Sequence, residues 1–214
     1  LKSNDYNLVY KKAIEYYNKG DYQRAMNLLD GVRSVFVGQA KAQNIAYYRA
    51  FCSYNMKDYQ IASDLFKQFI QTYPESSFAE ECLYMMGFCD YKASPKPRLD
   101  QQVTEKAIRE FQLYLSRYPY SMRKDKVNTY MDEMRDKLSY KAYLSAKNYY
   151  LREHYKAAVI SLQNCLKDYP GSKYREEIMY MLFVSKYQMA VNSVEDKKVE
   201  RYNNAREEYY YFAD

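Results

Sequence analysis

The side chains in this sequence best suited to chemistry are tyrosines, and that chemistry is molecular recognition. Tyr10, Tyr47 and Tyr84 lie 37 residues apart, and another tyrosine follows each of them seven residues later. A phenol ring offers a large contact area and one hydroxyl, with few torsions to freeze on binding. The pattern predicts a surface for an extended or hairpin peptide rich in aromatic residues. Its predicted members are Tyr10, Tyr17, Tyr47, Phe51, Tyr54, Tyr84, Phe88 and Tyr91. The same spacing also fits rings that pack between neighbouring helices, and the sequence leaves both interpretations open.

Catalytic chemistry has little support in the sequence. The only histidine, His154, falls in a polar turn, where a solvent-exposed role is expected. Four cysteines lack the spacing of a metal site, and they are expected to be buried free thiols. No phosphate loop, dinucleotide fingerprint, nucleophile elbow or HExxH motif occurs. We therefore predict a protein that is not an enzyme, with no catalytic residues, no cofactor and no metal.

Composition favours a helical protein. The 214 residues include only 5 Gly and 5 Pro, which leaves little material for sheet turns or flexible linkers. The net charge is +6, but basic residues alternate with acidic ones, so a solvated helix surface is expected and not a nucleic-acid tract. No run approaches the roughly 18 apolar residues that a membrane helix needs. The chain begins in a polar stretch and ends inside a helical pattern, so both ends are expected to be cut.

The elements that position the tyrosines are repeated helical hairpins. The segment KGDYQRA at 19–25 returns as MKDYQIA at 56–62 and as REHYKAA at 152–158. Small residues mark close helix crossings, and the second helix ends in TYPES, RYPYS or DYPGS, where proline stops the helix and the following serine is a candidate N-cap. A fixed period of this length is typical of tetratricopeptide (TPR) solenoids. The prediction is an all-α, right-handed TPR superhelix of about five helical hairpins.

Two departures from the period make the third and fourth units distinctive. The small residues are 12 positions apart in units one, two and four, but 20 positions apart in the third unit. The extra eight residues must lie within 92–102, where Pro95 and Pro97 forbid helix, so a surface loop is predicted there. A further 14 residues follow Pro119 in a strongly helical stretch. They predict a lengthened helix that links the third and fourth units.

The segments SPKPRLDQQVTEKAIREFQLYLSRYPYS and MDEMRDKLSYKAYLSAKNYY resemble the BamD family, the outer-membrane assembly lipoproteins of Gram-negative bacteria. The similarity extends over essentially the whole chain. The resemblance implies that units 1–3 (residues 1–119) receive unfolded outer-membrane proteins, whose last strands carry aromatic signals. It implies that residues 120–214 dock a BamA-like barrel protein with POTRA domains, alongside other Bam subunits. It also implies a periplasmic location at the outer membrane, through a lipidated cysteine that lies before Leu1 and is missing here.

A basic cluster near the end of the chain is the predicted docking site. Lys197, Lys198 and Arg201 lie at the start of an amphipathic helix, where cations are slightly unfavourable and an acidic partner would explain them. Two other functions stay open: a different periplasmic TPR lipoprotein scaffold, and a cytosolic TPR adaptor that grips a chaperone carboxylate. Such a carboxylate clamp needs Lys and Asn at positions that here hold Tyr and mostly apolar residues, which argues against the adaptor.

Overall fold

The computed structural model describes residues 5–213, and every regular element in that range is an α-helix. Successive helices pair into five hairpins, so the predicted all-α class of TPR-type hairpins is confirmed. The helices are α1 Tyr6–Asn18, α2 Tyr22–Val32, α3 Ala40–Asn55, α4 Tyr59–Thr72, α5 Ala79–Ala93, α6 Gln102–Arg117, α7 Lys124–Leu151, α8 Tyr155–Asp168, α9 Arg175–Val191 and α10 Glu195–Ala213.

The turn inside a hairpin depends on one residue with left-handed backbone. Gly20, Lys57 and Glu153 occupy this place in hairpins one, two and four, with φ of 82°, 67° and 60°. The N–H of the next residue then donates to a carbonyl five residues earlier, as Asp21 does to Tyr16 at 2.9 Å, which closes the helix end. Glycine adopts this conformation readily, whereas a lysine or glutamate accepts a cost of about 1 kcal/mol.

The residue after the turn is the N-cap of the second helix, and of the three such residues only Asp21 makes a cap hydrogen bond with its side chain. Asp21, Asp58 and His154 are the N-caps of α2, α4 and α8, and the Asp21 carboxylate accepts the Arg24 backbone N–H at 3.2 Å. A carboxylate or similar acceptor at this position satisfies a backbone donor that the helix leaves unpaired. His154 is exposed, as its place in a polar turn predicts.

The connection between hairpins confirms the role of proline and corrects that of serine. Helices α4, α6 and α8 end two residues before Pro74, Pro119 and Pro170 respectively. The serine that follows each proline is not the N-cap of the next helix, because the helix begins three residues further on. Its hydroxyl instead accepts the backbone N–H two residues later and so closes the short turn that precedes the helix. These pairs are Ser76 with Phe78, Ser121 with Arg123 and Ser172 with Tyr174, each at 3.2 Å.

The predicted insert is a loop between α5 and α6 at residues 94–101. Its start is tied by a hydrogen bond between the hydroxyls of Ser94 and Thr104, at 2.6 Å. Near its end, Gln101 is only 4% exposed. The Leu99 carbonyl accepts from Lys141 Nζ at 2.8 Å, on the second half of α7. The loop is therefore at the surface as predicted, but it is held in place by hydrogen bonds along its length.

The predicted long helix is α7, which has 28 residues and no proline. The chain divides into two compact units, and the division falls inside α7 after Met134. Unit 1 contains the described residues up to Pro95 together with Asp100–Met134, and unit 2 contains Lys96–Leu99 and the residues from Arg135 onward. The functional division at residues 119 and 120 is a separate matter and stays a prediction.

Each unit has its own core. In unit 1, one cluster joins α3, α4, α5 and α6 to the first half of α7, and a second joins α1, α2 and α3. In unit 2, the second half of α7 packs with α8 and α9. Helices α5 and α6 approach closely at Gly87, where an added Cβ would lie 2.9 Å from the Phe111 ring. This confirms that the small residues mark tight helix contacts.

The four cysteines Cys52, Cys82, Cys89 and Cys165 are buried free thiols, as predicted. Burial raises the pKa of Cys52 and of Cys82 to about 12, so both thiols are protonated and unreactive near neutral pH. Between residues 5 and 213, none of the helices has the length and apolar character needed to span a membrane.

Candidate functional site

The eight predicted aromatic residues lie on the first helices of hairpins one to three, all in unit 1. They are Tyr10 and Tyr17 on α1, Tyr47, Phe51 and Tyr54 on α3, and Tyr84, Phe88 and Tyr91 on α5. Seven of them are half-buried, and Tyr84 is buried at 7% exposure. The helical spacing therefore placed these residues on connected faces, but no member stands fully in solvent.

The rings form one continuous series of contacts from α1 to the start of α7. Tyr47 contacts Phe51 at 4.5 Å between ring centroids and Phe78 at 4.6 Å. Tyr54 lies 6.2 Å from Phe88. Further along, Tyr91 stacks on Tyr130 at 4.4 Å. These side chains therefore pack between neighbouring helices. Tyr130 also belongs to the series, although the 37-residue spacing did not predict it.

Hydroxyl groups reinforce this packing through a repeated interlock. The Tyr47 hydroxyl donates to Glu81 at 2.8 Å, and in unit 2 the Tyr143 hydroxyl donates to Glu177 at 2.7 Å. Both pairs are separated by 34 residues. The role of these two glutamates is not among the sequence predictions. Their signal was present, because Glu81 and Glu177 each follow the hairpin-ending proline by seven residues.

The tyrosines of the series act as neutral hydrogen-bond donors. Burial, followed by the hydrogen bond to Glu81, raises the pKa of Tyr47 well above its usual range. Burial likewise raises the pKa of Tyr17 to about 12, and the hydrogen bond to Glu133 is the main cause that raises the pKa of Tyr91 to about 12. Because the pKa of each of these three tyrosines is raised, none of them carries a tyrosinate charge at physiological pH.

The members of the aromatic series differ in how much of the ring and hydroxyl group is free to contact a ligand. Tyr84 is buried and Tyr47 has its hydroxyl bonded to Glu81, so both mainly support the structure. Tyr54 is half-buried, and its hydroxyl has no hydrogen-bond partner among residues 5–213. Next to it on the surface, Lys92 Nζ lies 5.2 Å from the centre of the Phe88 ring. The part of the aromatic series that a ligand can still contact is therefore formed by Tyr54, Phe88 and their neighbours. We call this part the accessible edge.

The predicted docking cluster lies where expected, in the first two turns of α10. Lys198 pairs with Glu195 at 2.6 Å, and Arg201 donates to the Ser193 hydroxyl at 2.6 Å. Within the described chain, only the Lys197 side chain of the three has no polar partner. The first turn also contains Glu195 and Asp196, which suit a helix N-terminus. Lys198 and Arg201 thus already have polar partners within the chain, so their place at the start of a helix does not require an acidic partner protein.

One cleft in unit 2 has a volume of about 940 Å³ and lies between the ends of α7 and α9 and the starts of α8 and α10. Its walls carry both signs of charge, from Glu153 and from Lys156 and Arg201, beside the exposed side chains of Tyr149 and Ile160. Such a mixed lining does not define one ligand class. The arrangement offers no nucleophile activated by a neighbouring base, so it gives no reason to assign an enzymatic reaction.

Repeated hairpins with a left-handed turn, a capped second helix and interlocking tyrosines define a TPR-type repeat protein, a class whose exposed helix faces bind other proteins. The model of the YfiO family, described as outer membrane lipoprotein, matches residues 2–202, and the chain belongs to that family. No curated relative matches the chain.

Two solved structures are similar to this chain at low sequence identity. The TPR2AB domain of yeast Sti1, in a complex with pHSP90, is 13% identical over 95% of this chain and 77% of that one, with a TM-score of 0.48. MamA from AMB-1 is 14% identical over 94% of this chain and 90% of that one, with a TM-score of 0.39. Neither likeness is close enough to transfer a function.

Proposed function

We propose that this protein is a non-enzymatic scaffold of the machinery that assembles β-barrels in the outer membrane, in the manner of BamD. The observation that carries the proposal is the match of the outer membrane lipoprotein family to residues 2–202, on a chain built of TPR-type hairpins. A lipid anchor outside this chain would hold the natural protein at the periplasmic face. Unfolded barrel proteins, a BamA-like protein with POTRA domains and other Bam subunits would be its partners.

In this proposal the aromatic series of unit 1 receives the last strand of an unfolded barrel protein. Tyr17, Tyr54, Phe88 and Tyr91 would contact the aromatic side chains of the strand, while Tyr47 and Tyr84 hold the helices that present them. Each aromatic contact of this kind contributes about 0.5–1.5 kcal/mol beyond its buried area. The Tyr54 hydroxyl can donate to a strand carbonyl without losing a bond inside the protein.

The second partner would dock on hairpins four and five, with Lys197, Lys198 and Arg201 at the edge of its footprint. Charges at the rim of an interface act mainly on the association rate. Reversal of all three residues to Glu is therefore expected to slow association with the POTRA domains and to flatten its dependence on salt. Association that is equally fast for variant and wild type at low and high salt would remove this cluster from the docking site.

Affinity capture from solubilised outer membranes tests the assembly function. The chain is immobilised, and captured proteins are identified by mass spectrometry, with an unrelated TPR protein as the control bait. Recovery of a barrel protein with POTRA domains on this bait alone is the expected result. Capture of a chaperone or a peptidoglycan enzyme in its place would contradict the proposal.

A further inference from the structure

Three helices of unit 1 enclose a cluster of charged groups that the aromatic series does not use. Asp90 on α5 is 1% exposed and Glu110 on α6 is 9% exposed. One cation reaches both of them, since Lys106 Nζ lies 2.9 Å from Asp90 and 3.7 Å from Glu110. From α4, the Ser63 hydroxyl donates to Asp90 at 3.0 Å. The sequence signal for this cluster was Asp90 itself, a charged residue at a helix position that usually holds a buried tyrosine.

The geometry leaves the two carboxyl groups unequally satisfied. Asp90 receives both the Lys106 ammonium and the Ser63 hydroxyl at hydrogen-bond distance. Glu110 approaches Lys106 only at 3.7 Å, and its Oε2 is buried with no hydrogen-bond partner. A buried carboxylate oxygen without a donor is strongly unfavourable, whereas a protonated carboxyl can itself donate to a neighbouring carboxylate. One ammonium cannot fully compensate two buried negative charges.

The other groups that face Glu110 do not change this balance. Asp64 on α4 lies 3.9 Å from Lys106 and is largely exposed, so it adds negative charge near the same cation. Cys89 on α5 stays a neutral thiol, because burial raises its pKa well above the usual range. Burial first, then the neighbouring Asp90 carboxyl group, raises the pKa of Glu110 to about 8, against the opposing effect of Lys106.

We propose that Asp90, Lys106 and Glu110 form a proton-binding site, in which one proton held between the two carboxyl groups ties α5 to α6 within hairpin three. Loss of this proton in alkaline solution leaves an uncompensated charge between α4, α5 and α6 and loosens their packing. Because Asp90 lies between Phe88 and Tyr91 on α5, the proton also supports the helix that presents the aromatic series. The inference rests on the cluster alone and does not require peptide binding.

The direction of the pH dependence follows from proton linkage. The pKa of Glu110 is raised from its ordinary value of 4.5 to about 8 in the folded chain, so the folded state binds the proton more tightly than the unfolded state. Its contribution to stability is complete below about pH 4.5. The contribution falls as the pH rises and is exhausted above about pH 8.

Thermal unfolding of Glu110→Gln and wild type at pH 5, 7 and 9 tests the site. The amide mimics the protonated acid, so the two melting temperatures should be similar at pH 5. At pH 9 the variant should melt higher by more than about 4 °C, since 1 kcal/mol shifts the Tm of a chain this size by roughly 2–4 °C. Glu105→Gln is the matched control, because Glu105 is an exposed carboxylate on the same helix and its variant should show no such trend. A difference between Glu110→Gln and wild type that does not change with pH would overturn the proposal.

Infrared spectroscopy of the wild type covers the case in which Glu110→Gln does not fold. With ¹³C-labelled glutamate, the proposal predicts a protonated carboxyl band at pH 7, where exposed glutamates are ionised, and its loss near pH 9. Asp90→Asn should remove this band at pH 7, since Lys106 would then have only Glu110 to neutralise. The absence of any protonated glutamate band in the wild type at pH 7 would refute the site.

Discussion

Hairpin three carries Tyr84 and Tyr91 at the positions where hairpin five carries Tyr180 and Tyr187. The two pairs of tyrosines have different surroundings. Tyr84 on α5 is 7% exposed and contacts Phe111 and Tyr114 on α6. Tyr180 and Tyr187 on α9 are 48% and 44% exposed. The sequence spacing is the same in both hairpins, so spacing alone does not determine whether a repeat tyrosine is core or surface.

The difference in exposure arises from the residues that pack over the first helix of each hairpin. In unit 1, the start of α5 covers Tyr47 with Phe78 and Glu81, and in unit 2 the start of α9 covers Tyr143 with Tyr174 and Glu177. Over α9, α10 places Phe212 at 5.8 Å from Tyr180 and Tyr202 at 5.9 Å from Tyr187, and its Glu208 pairs with Lys186 at 2.6 Å. Both tyrosines still remain partly exposed. The repeat thus sets the face of a side chain, and the next hairpin sets its burial.

The largest expected effect compares the equivalent tyrosines of the two hairpins. Tyr84→Ala should lower the free energy of unfolding by about 3–5 kcal/mol, because it empties a buried aromatic site. Tyr180→Ala should lower it by less than about 1 kcal/mol, because its ring is half in solvent already. Urea denaturation followed by circular dichroism gives both values. Equal losses of unfolding free energy in the two variants would show that the different exposure of Tyr84 and Tyr180 has no effect on their contributions to stability.

A smaller effect separates structural hydroxyls from available ones. Tyr47→Phe removes a hydrogen bond to the Glu81 carboxylate and should lower the free energy of unfolding by about 1–2 kcal/mol. Tyr54→Phe removes a hydroxyl with no partner in the described chain and should stay within about 0.5 kcal/mol of wild type. Denaturation of both variants under the same conditions is the check. A large loss in Tyr54→Phe would mean that its hydroxyl is structural, and would exclude it as a free ligand donor.

The smallest effect concerns the interlock of unit 2 and depends on pH. Lys147 and Tyr143 donate to Glu177 and hold its pKa below the usual value, so this contribution is present above about pH 4.5 and is lost as the pH falls. Glu177 is 45% exposed, so Glu177→Gln should cost less than about 1 kcal/mol at pH 7. The difference from wild type should vanish near pH 3, and Glu176→Gln is the control. If Glu177→Gln loses the same unfolding free energy at pH 3 as at pH 7, the negative charge of Glu177 is not the source of the loss.

Much of the fold could be predicted because its signals are local. Proline ends a helix wherever it stands, a left-handed turn needs few residues, and helical spacing places apolar residues on one face. These rules gave the hairpins, the insert and the long helix. They failed for Ser76 and its equivalents, because the start of a helix depends on a turn three residues long that the serine closes first.

The site was harder to predict because burial is a property of neighbours. The spacing could not show that Tyr84 is core, that Tyr130 joins the series, or that Glu81 accepts a hydroxyl from the preceding hairpin. Each of these facts needs the distances between helices.

The central claim is that the accessible edge of the aromatic series in unit 1 binds strand peptides. The direct measurement is calorimetric titration of a peptide with the last strand of an outer-membrane barrel protein, ending in an aromatic residue, into wild type, Tyr54→Ala and Tyr180→Ala. The expected result is a Kd at least about tenfold weaker for Tyr54→Ala, a loss of about 1.4 kcal/mol, with unchanged helicity. Tyr180→Ala and wild type should bind alike, and a peptide with its aromatic residues changed to alanine should not bind. Equal affinity of folded Tyr54→Ala and wild type for the aromatic peptide would contradict the account.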